Sequence, residues 1–393
     1  GGTILATESN RLAAASREQR GLPLQKTILL IGTYDTKGAD HQFLRERIQK
    51  LGCDVRAMDV GVVGEPMGIP VDHSASEVAA AGDTNLESLR RQSDRGAAMQ
   101  AMSRGAAVLA RKLYEAGKVQ GAIGMGGSGG SSVICSALRA LPLGVPKVCV
   151  STIAGSDTSG YVGTQDIVMI PAVADIAGVN RFSKVVYTQA AGAICGMVQT
   201  QPPAVDHDKP LVVASMFGNT TQCVGDCRHH LLAAGYEVLI FHAVGTGGRT
   251  MEALIEAGHA AACLDLTTTE WADEICGGVF SAGKSRLSAA GQAAIPQVLA
   301  PGCIDMVNFG DRSTVPEKYR SANRLFYEWN PNVTLMRTNA NENQELGRIF
   351  AAKANVAKGP VAILLPKRGY SMLGGPGQVF CDPAADQAFA DAL

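Results

Sequence analysis

Five glycines and three serines fall within Gly124-Met125-Gly126-Gly127-Ser128-Gly129-Gly130-Ser131-Ser132. Residues 119–123 before this run are apolar and read as a buried strand, and residues 133–141 after it read as a helix. A strand, a glycine loop and a helix in that order suit phosphate. The glycines let the backbone turn tightly and approach an anion, and the N–H groups of the first helical turn, at the positive end of the helix dipole, point at it. Ser128, Ser131 and Ser132 could add hydroxyl donors. A plain tight turn would use the same residue type, but their density at a strand–helix junction favours a bound anion.

In an open parallel sheet, ligands bind beyond the carboxyl ends of the strands. That rule selects three further loops in the first half: 32–37, 61–68 and 151–156. In the first of them Lys37 could meet phosphate charge, Thr36 could donate a hydroxyl, and Asp35 could hold magnesium or a ribose. Asp35 also stands where a helix N-cap is expected, and the two roles are compatible.

The second half offers His242-Ala243-Val244-Gly245-Thr246-Gly247-Gly248-Arg249, again between a strand and a helix. This loop could bind a second anion, with Arg249 as a bidentate clamp and His242 as a general base. Asp265 and Glu270 could carry acid–base work or metal. Each of these residues has a structural alternative, a helix cap for the acids and a hydrogen-bonded histidine for His242.

Two patterns are weaker. Cys223, Cys227 and His230 fall near one helix face, with His229 beside them, but lack the tight paired spacing of zinc sites. Residues 278–285 match the Walker A spelling, yet residues 271–276 before them read as helix. The strand that a P-loop requires is missing.

The elements that must position these loops follow from patterning. Strand-like runs at 27–31, 55–60, 121–125, 147–151 and 167–170 alternate with helical stretches at 40–51, 97–116 and 131–141. A second set of strands lies at 211–216, 237–242, 261–266, 297–300, 333–336 and 361–365. The expected fold is α/β, with two doubly wound, Rossmann-like parallel-sheet subdomains facing across a cleft. The proline-rich stretch 200–210 is the expected boundary, giving an N-terminal extension (1–25, with a short helix at 10–19), a first subdomain (26–202) and a second (203–393). The halves open alike: strand, glycine turn, helix, Gly52 or Gly235 at the helix end, strand, glycine.

The chain has 393 residues, 18% charged, with 45 glycines and a net charge of −1. That balance gives no electrostatic case for nucleic acid or an anionic membrane. No apolar run has the ~20 residues of a membrane span, and no signal-peptide pattern opens the sequence. Ten scattered cysteines in mostly apolar settings read as reduced thiols of a cytoplasmic protein.

Taken together, the segments Gly126-Gly127-Ser128-Gly129-Gly130, Gly32-Thr33-Tyr34-Asp35-Thr36-Lys37, Ser151-Thr152-Ile153-Ala154-Gly155, 242–249, Leu266-Thr267-Thr268-Thr269-Glu270 and Asp305-Met306-Val307-Asn308-Phe309-Gly310 resemble the ATP-binding N-terminal domain of the tomato mosaic virus resistance protein and its bacterial relatives. The likeness runs in order from residue 26 to the C-terminus. It implies two Rossmann-like subdomains, a homodimer, and ATP with magnesium in the first subdomain. By the same resemblance the nucleotide contacts are Asp35, Thr36 and Lys37, Arg95, and Gly127, Ser128, Gly129 and Gly130. Where the family uses a threonine in the loop after the second strand, this sequence has Val62 nearby. Many relatives continue into a TIM barrel, so a barrel partner is expected as a separate chain.

The functional expectation is an ATP-binding protein with phosphates on loop 124–132 and a small-molecule substrate in the inter-domain cleft, near His242, Arg249, Asp265 and Glu270. The alternative is a non-catalytic nucleotide-sensing or protein-interaction module.

Overall fold

The computed structural model describes residues 26–201, 203 and 209–393. The chain divides into two compact units, the first ending at Pro203 and the second starting at Ala204. The N-terminal extension and its short helix lie outside the described residues.

The first unit holds five strands: β1 (Thr27–Gly32), β2 (Asp54–Asp59), β3 (Gly121–Gly126), β4 (Lys147–Ser151) and β5 (Val168–Pro171). All pair in parallel in the order β2-β1-β3-β4-β5. Its helices are α1 (Tyr34–Lys50), α2 (Ala75–Ala81), α3 (Leu86–Gln92), α4 (Arg95–Glu115), α5 (Ser128–Arg139), α6 (Ser159–Val162) and α7 (Arg181–Gln199). Strands covered by helices on both faces carry continuous apolar runs, and β1, β3 and β4 are buried almost throughout. Along β1 the side chains alternate between two cores. Ile28 and Leu30 pack with α1 and α7, while Leu29 and Ile31 pack with α4 and α5. The sheet is therefore doubly wound.

In the second unit β6 (Leu211–Met216), β7 (Glu237–His242), β8 (Ala262–Thr267), β9 (Gln297–Gly302) and β13 (Val361–Ile363) form another parallel five-stranded sheet. Its order, β7-β6-β8-β9-β13, repeats that of the first: second strand, first, third, fourth, fifth. Between β9 and β13 the chain inserts an antiparallel sheet of β10 (Met306–Phe309), β11 (Phe326–Asn330) and β12 (Val333–Arg337), in the order β10-β12-β11. This corrects the expectation for residues 333–336, which pair with the insert and not with the parallel sheet. The helices of this unit are α8 (Thr221–Ala233), α9 (Thr246–Glu256), α10 (Thr269–Cys276), α11 (Ala289–Gln292), α12 (Glu317–Arg320), α13 (Ala340–Asn355) and α14 (Pro383–Ala392).

All ten cysteines are free. Among the described residues no helix is long and apolar enough to cross a membrane.

Candidate functional site

The strand order of the first unit reverses direction between β1 and β3, and the carboxyl ends of those two strands open a crevice. A cavity of about 710 Å³ lies there. The loops after β1, β2 and β3 line it, together with α3 and the start of α4.

The glycine loop forms its floor. Gly127 is the N-cap of α5, and no side chain caps the helix; the ladder begins with Ser131 N–H donating to Gly127 O at 2.8 Å. The N–H groups at the start of α5 therefore have no capping side chain to satisfy them. Two glycines make the turn possible. A Cβ at Gly126 would lie 2.7 Å from Ser131 N, and one at Gly124 would lie 2.6 Å from Ile134 Cγ2. Arg95, on the first turn of α4, reaches across the loop: its Nη2 would be 3.2 Å from a Cβ at Gly129. The hydroxyl expectation is corrected for Ser131. It is buried, donating to Gly126 O at 3.1 Å and sharing a 2.6 Å hydrogen bond with Ser151 Oγ. Ser128 lines the cavity and Ser132 does not.

Asp35 sits in the first turn of α1, where Thr33 is the N-cap, so the N-cap reading of Asp35 is also corrected. Its Oδ2 instead accepts from Val63 N–H at 2.8 Å and Gly64 N–H at 3.2 Å, which ties the loop after β2 to the loop after β1. Its Oδ1 is buried with no hydrogen-bond partner among the described residues. Asp59 adds a second tie, accepting from Tyr34 N–H at 3.1 Å and Gly61 N–H at 2.9 Å. Burial raises the pKa of Asp59 above the usual carboxylate range. Lys37 lines the cavity, but its ammonium donates to Ile176 O.

The cavity thus gathers all eight expected contacts: Asp35, Thr36, Lys37, Arg95, Gly127, Ser128, Gly129 and Gly130. Loop 151–156 contributes nothing to its lining. Sequence reasoning missed Arg90, whose guanidinium donates to Val62 O (2.9 Å) and Gly64 O (2.6 Å) and pairs with Glu65 at 3.0 Å. It also missed the apolar wall made by Val60, Val62, Val63, Leu89, Ala98, Met99, Met102 and Val133. The lining thus combines apolar side chains with a guanidinium, hydroxyls and the glycine loop.

Comparison with known proteins gives the lineage. Residues 26–203 match the N-terminal domain model of an uncharacterised protein family, UPF0261, and residues 209–393 match its C-terminal domain model. The chain belongs to the UPF0261 family. A UPF0261 protein of Clostridium tetani is 45% identical, across 94% of this chain and 91% of that protein. The ToMV resistance protein Tm-1(GCR237) of Solanum lycopersicum is 38% identical, across 93% of this chain but only 51% of the tomato protein. Among solved structures, Acinetobacter baumannii MurG aligns over 94% of this chain and 93% of its own at 12% identity, with a TM-score of 0.22, too low to bear on function.

The second unit of this UPF0261 chain uses its candidate residues differently from the expectation. Arg286 is fully buried and is the hub of an ion cluster. Its Nε donates to Glu270 Oε2 at 2.6 Å, its Nη2 to Asp265 Oδ1 at 2.7 Å, and its Nη1 to Asp265 Oδ2 and, at 3.1 Å, to Glu252 Oε1. Glu270 Oε1 accepts from Gly245 N–H (2.7 Å) and Gly248 N–H (3.0 Å). The anion that the 245–249 loop was expected to bind is therefore supplied by the chain itself. A Cβ at Gly248 would lie 2.2 Å from Glu270 Oε2, so glycine there admits the carboxylate. Asp265 also accepts from Ser215 Oγ at 2.6 Å. Asp265 and Glu270, the acids expected to carry acid–base work or metal, are both buried, and each is bonded to Arg286 and to a second partner, Ser215 Oγ for Asp265 and the Gly245 and Gly248 N–H groups for Glu270. Arg249 is exposed and donates to Ser281 O at 2.9 Å. His242 ends β7, exposed, its ring 5.3 Å from that of Phe217.

The Walker A lookalike follows α10 and forms an irregular loop pinned by Asp273, which accepts from Phe280 N–H (2.8 Å) and Asn308 N–H (2.7 Å). Among the described residues no group of three or more His, Cys, Asp or Glu side chains is placed to hold a metal ion.

Burial pushes the Asp273 carboxyl up to about 7 and that of Asp305 up to about 6. An acid whose folded pKa lies above its unfolded value favours the fold at low pH and loses that contribution as pH climbs through the folded value. The Asp273→Asn variant is therefore expected to gain stability relative to the parent as pH rises from about 5 to about 8. Melting temperatures of both proteins across that range check it; a constant difference would refute it.

Proposed function

We propose that the first unit binds ATP with magnesium, the base against the apolar wall and the phosphates on loop 124–132. The observation that carries this reading is the convergence of an uncapped helix N-terminus, the Arg95 guanidinium and an apolar wall on one cavity at the sheet's switch point. The motif resemblance implies ATP as the nucleotide and a homodimer as the assembly, and the free thiols accord with a cytoplasmic location, so the proposal includes all three. Magnesium would neutralise phosphate charge, and the donor chemistry of Asp35 fits it, because Oδ1 is a buried carboxylate oxygen with no partner among the described residues. Lys37 would exchange its carbonyl partner, Ile176 O, for a phosphate oxygen, which makes a stronger, charge-assisted bond. Lys37→Ala is expected to weaken magnesium-ATP binding about tenfold, or about 1.4 kcal/mol. Calorimetry checks this, and an unchanged affinity would remove Lys37 from the site.

A non-catalytic, nucleotide-sensing module is the second reading. It is favoured by the Arg286 cluster, which engages two of the four expected catalytic residues and leaves His242 and Arg249 exposed. ADP formation with a panel of small acids and sugars separates the two. Turnover supports an ATP-dependent enzyme acting on a small molecule; tight binding with no turnover supports the sensor.

A further inference from the structure

Helix α4 separates two concavities. Arg95, Ala98 and Met102 face the nucleotide cavity. Gly96, Gln100, Ser103 and Arg104 face a second pocket of about 460 Å³. Spacings of four, seven and eight residues from Gly96 place those four positions on one adjoining face of the helix. Met99 lies on the border and lines both pockets. Its sulfur would be 3.5 Å from a Cβ at Gly129, so the two pockets meet beside the glycine loop. The far wall of the second pocket is Ser132, two residues after the last glycine of that loop.

The lining chemistry is a guanidinium, a carboxamide and two hydroxyls, with no carboxylate. Arg104 makes one hydrogen bond among the described residues, a long one of 3.4 Å to Gly82 O. Arg104 and Gln100 are exposed at the pocket's rim, so the remaining N–H donors of the guanidinium face solvent and are open to a ligand. Ser132 does not join the buried pair formed by Ser131 and Ser151.

We infer that this second pocket binds a small hydroxylated anion, a phosphate ester or carboxylate, beside the phosphate end of the bound nucleotide. The inference rests on the nucleotide reading for its neighbour and on Arg104 for its own ligand. Arg104 would clamp the anionic group in the bidentate manner that guanidinium favours, while Gln100, Ser103 and Ser132 meet the hydroxyls. Such a molecule is the natural companion of a nucleotide site, as a co-substrate in an enzyme or a second signal in a sensor.

Calorimetric titration of the full chain with glycerol 3-phosphate, inorganic phosphate and succinate tests this, each with and without a saturating non-hydrolysable ATP analogue and magnesium. The expected result is saturable binding of at least one probe to the parent, weakened tenfold or more in Arg104→Gln. The analogue's own affinity is expected to stay within twofold in that variant. The succinate and phosphate arms separate carboxylate from phosphoryl recognition. Binding of no probe, or binding that Arg104→Gln leaves unchanged, overturns the inference. Failure of the analogue to bind the parent overturns the nucleotide reading instead, and the analogue-free arm still decides the second pocket.

Discussion

Gly129→Val is expected to weaken magnesium-ATP binding on the order of 100-fold while leaving the fold intact. Gly129 lies in the first turn of α5, where the N–H groups face the cavity and carry the positive end of the helix dipole. A Cβ there would meet Arg95 Nη2 at 3.2 Å and Met99 Sδ at 3.5 Å, the far ends of two flexible side chains that can move aside. The cost therefore falls on the ligand. The branched methyls would occupy phosphate space and displace the guanidinium that faces it. A loss on the order of 100-fold, about 2.8 kcal/mol, is expected. Neighbouring glycines make the controls. Gly126→Ala would drive a Cβ to 2.7 Å from the Ser131 backbone nitrogen and deform the loop itself. Gly130→Ala meets nothing within 4 Å, so the protein should fold at least as stably and only a bound phosphate would sense the methyl. Thermal melting without ligand and titration with magnesium-ATP together distinguish these cases. If Gly129→Val binds like the parent, the phosphates are not on this loop.

The second large effect is expected at Arg286. Arg286→Leu removes the only cation of the described cluster and leaves Glu252, Asp265 and Glu270 buried around an apolar side chain. Removing one partner of a buried ion pair costs about 3–5 kcal/mol, because the other charge stays uncompensated. Burial already raises the Glu270 pKa, with Arg286 opposing that rise, so its loss would push Glu270 toward protonation. The carboxylates also hold backbone. Glu252 accepts from Leu287, Ser288 and Ala289 N–H groups, and Glu270 from Gly245 and Gly248. Loss of soluble protein, or a large drop in denaturation midpoint, is therefore expected. Arg286→Lys should fall between, since an ammonium cannot fork to three carboxylates. Denaturation of Arg286→Leu at the parent's midpoint would contradict the cluster's structural role.

The alternation of strand and helix was legible in the sequence because parallel strands buried on both faces read as continuous apolar runs, and β1, β3, β4 and β6 are such runs. The antiparallel insert was not. Its β10 is four residues long, β11 is mostly exposed, and the apolar run of β12 carries no information about its partner. At the site, the glycine loop was legible because its chemistry is local: strand, turn and helix are contiguous. Arg90 and Arg286 were hidden because their partners are distant in sequence. Arg90 reaches back to the loop after β2, and Arg286 stands inside α10's following loop, next to the Lys284 and Ser285 that gave the Walker A spelling. Glu270 showed the same limit from the other side. An acid at a strand end reads equally as a catalyst or as a structural anion until its partners are known.

Calorimetric titration of the full chain with magnesium-ATP tests the central claim most directly. One saturable site per chain is expected, weakened on the order of 100-fold in Gly129→Val. No saturable binding by the folded parent would contradict it, as would binding that Gly129→Val leaves unchanged.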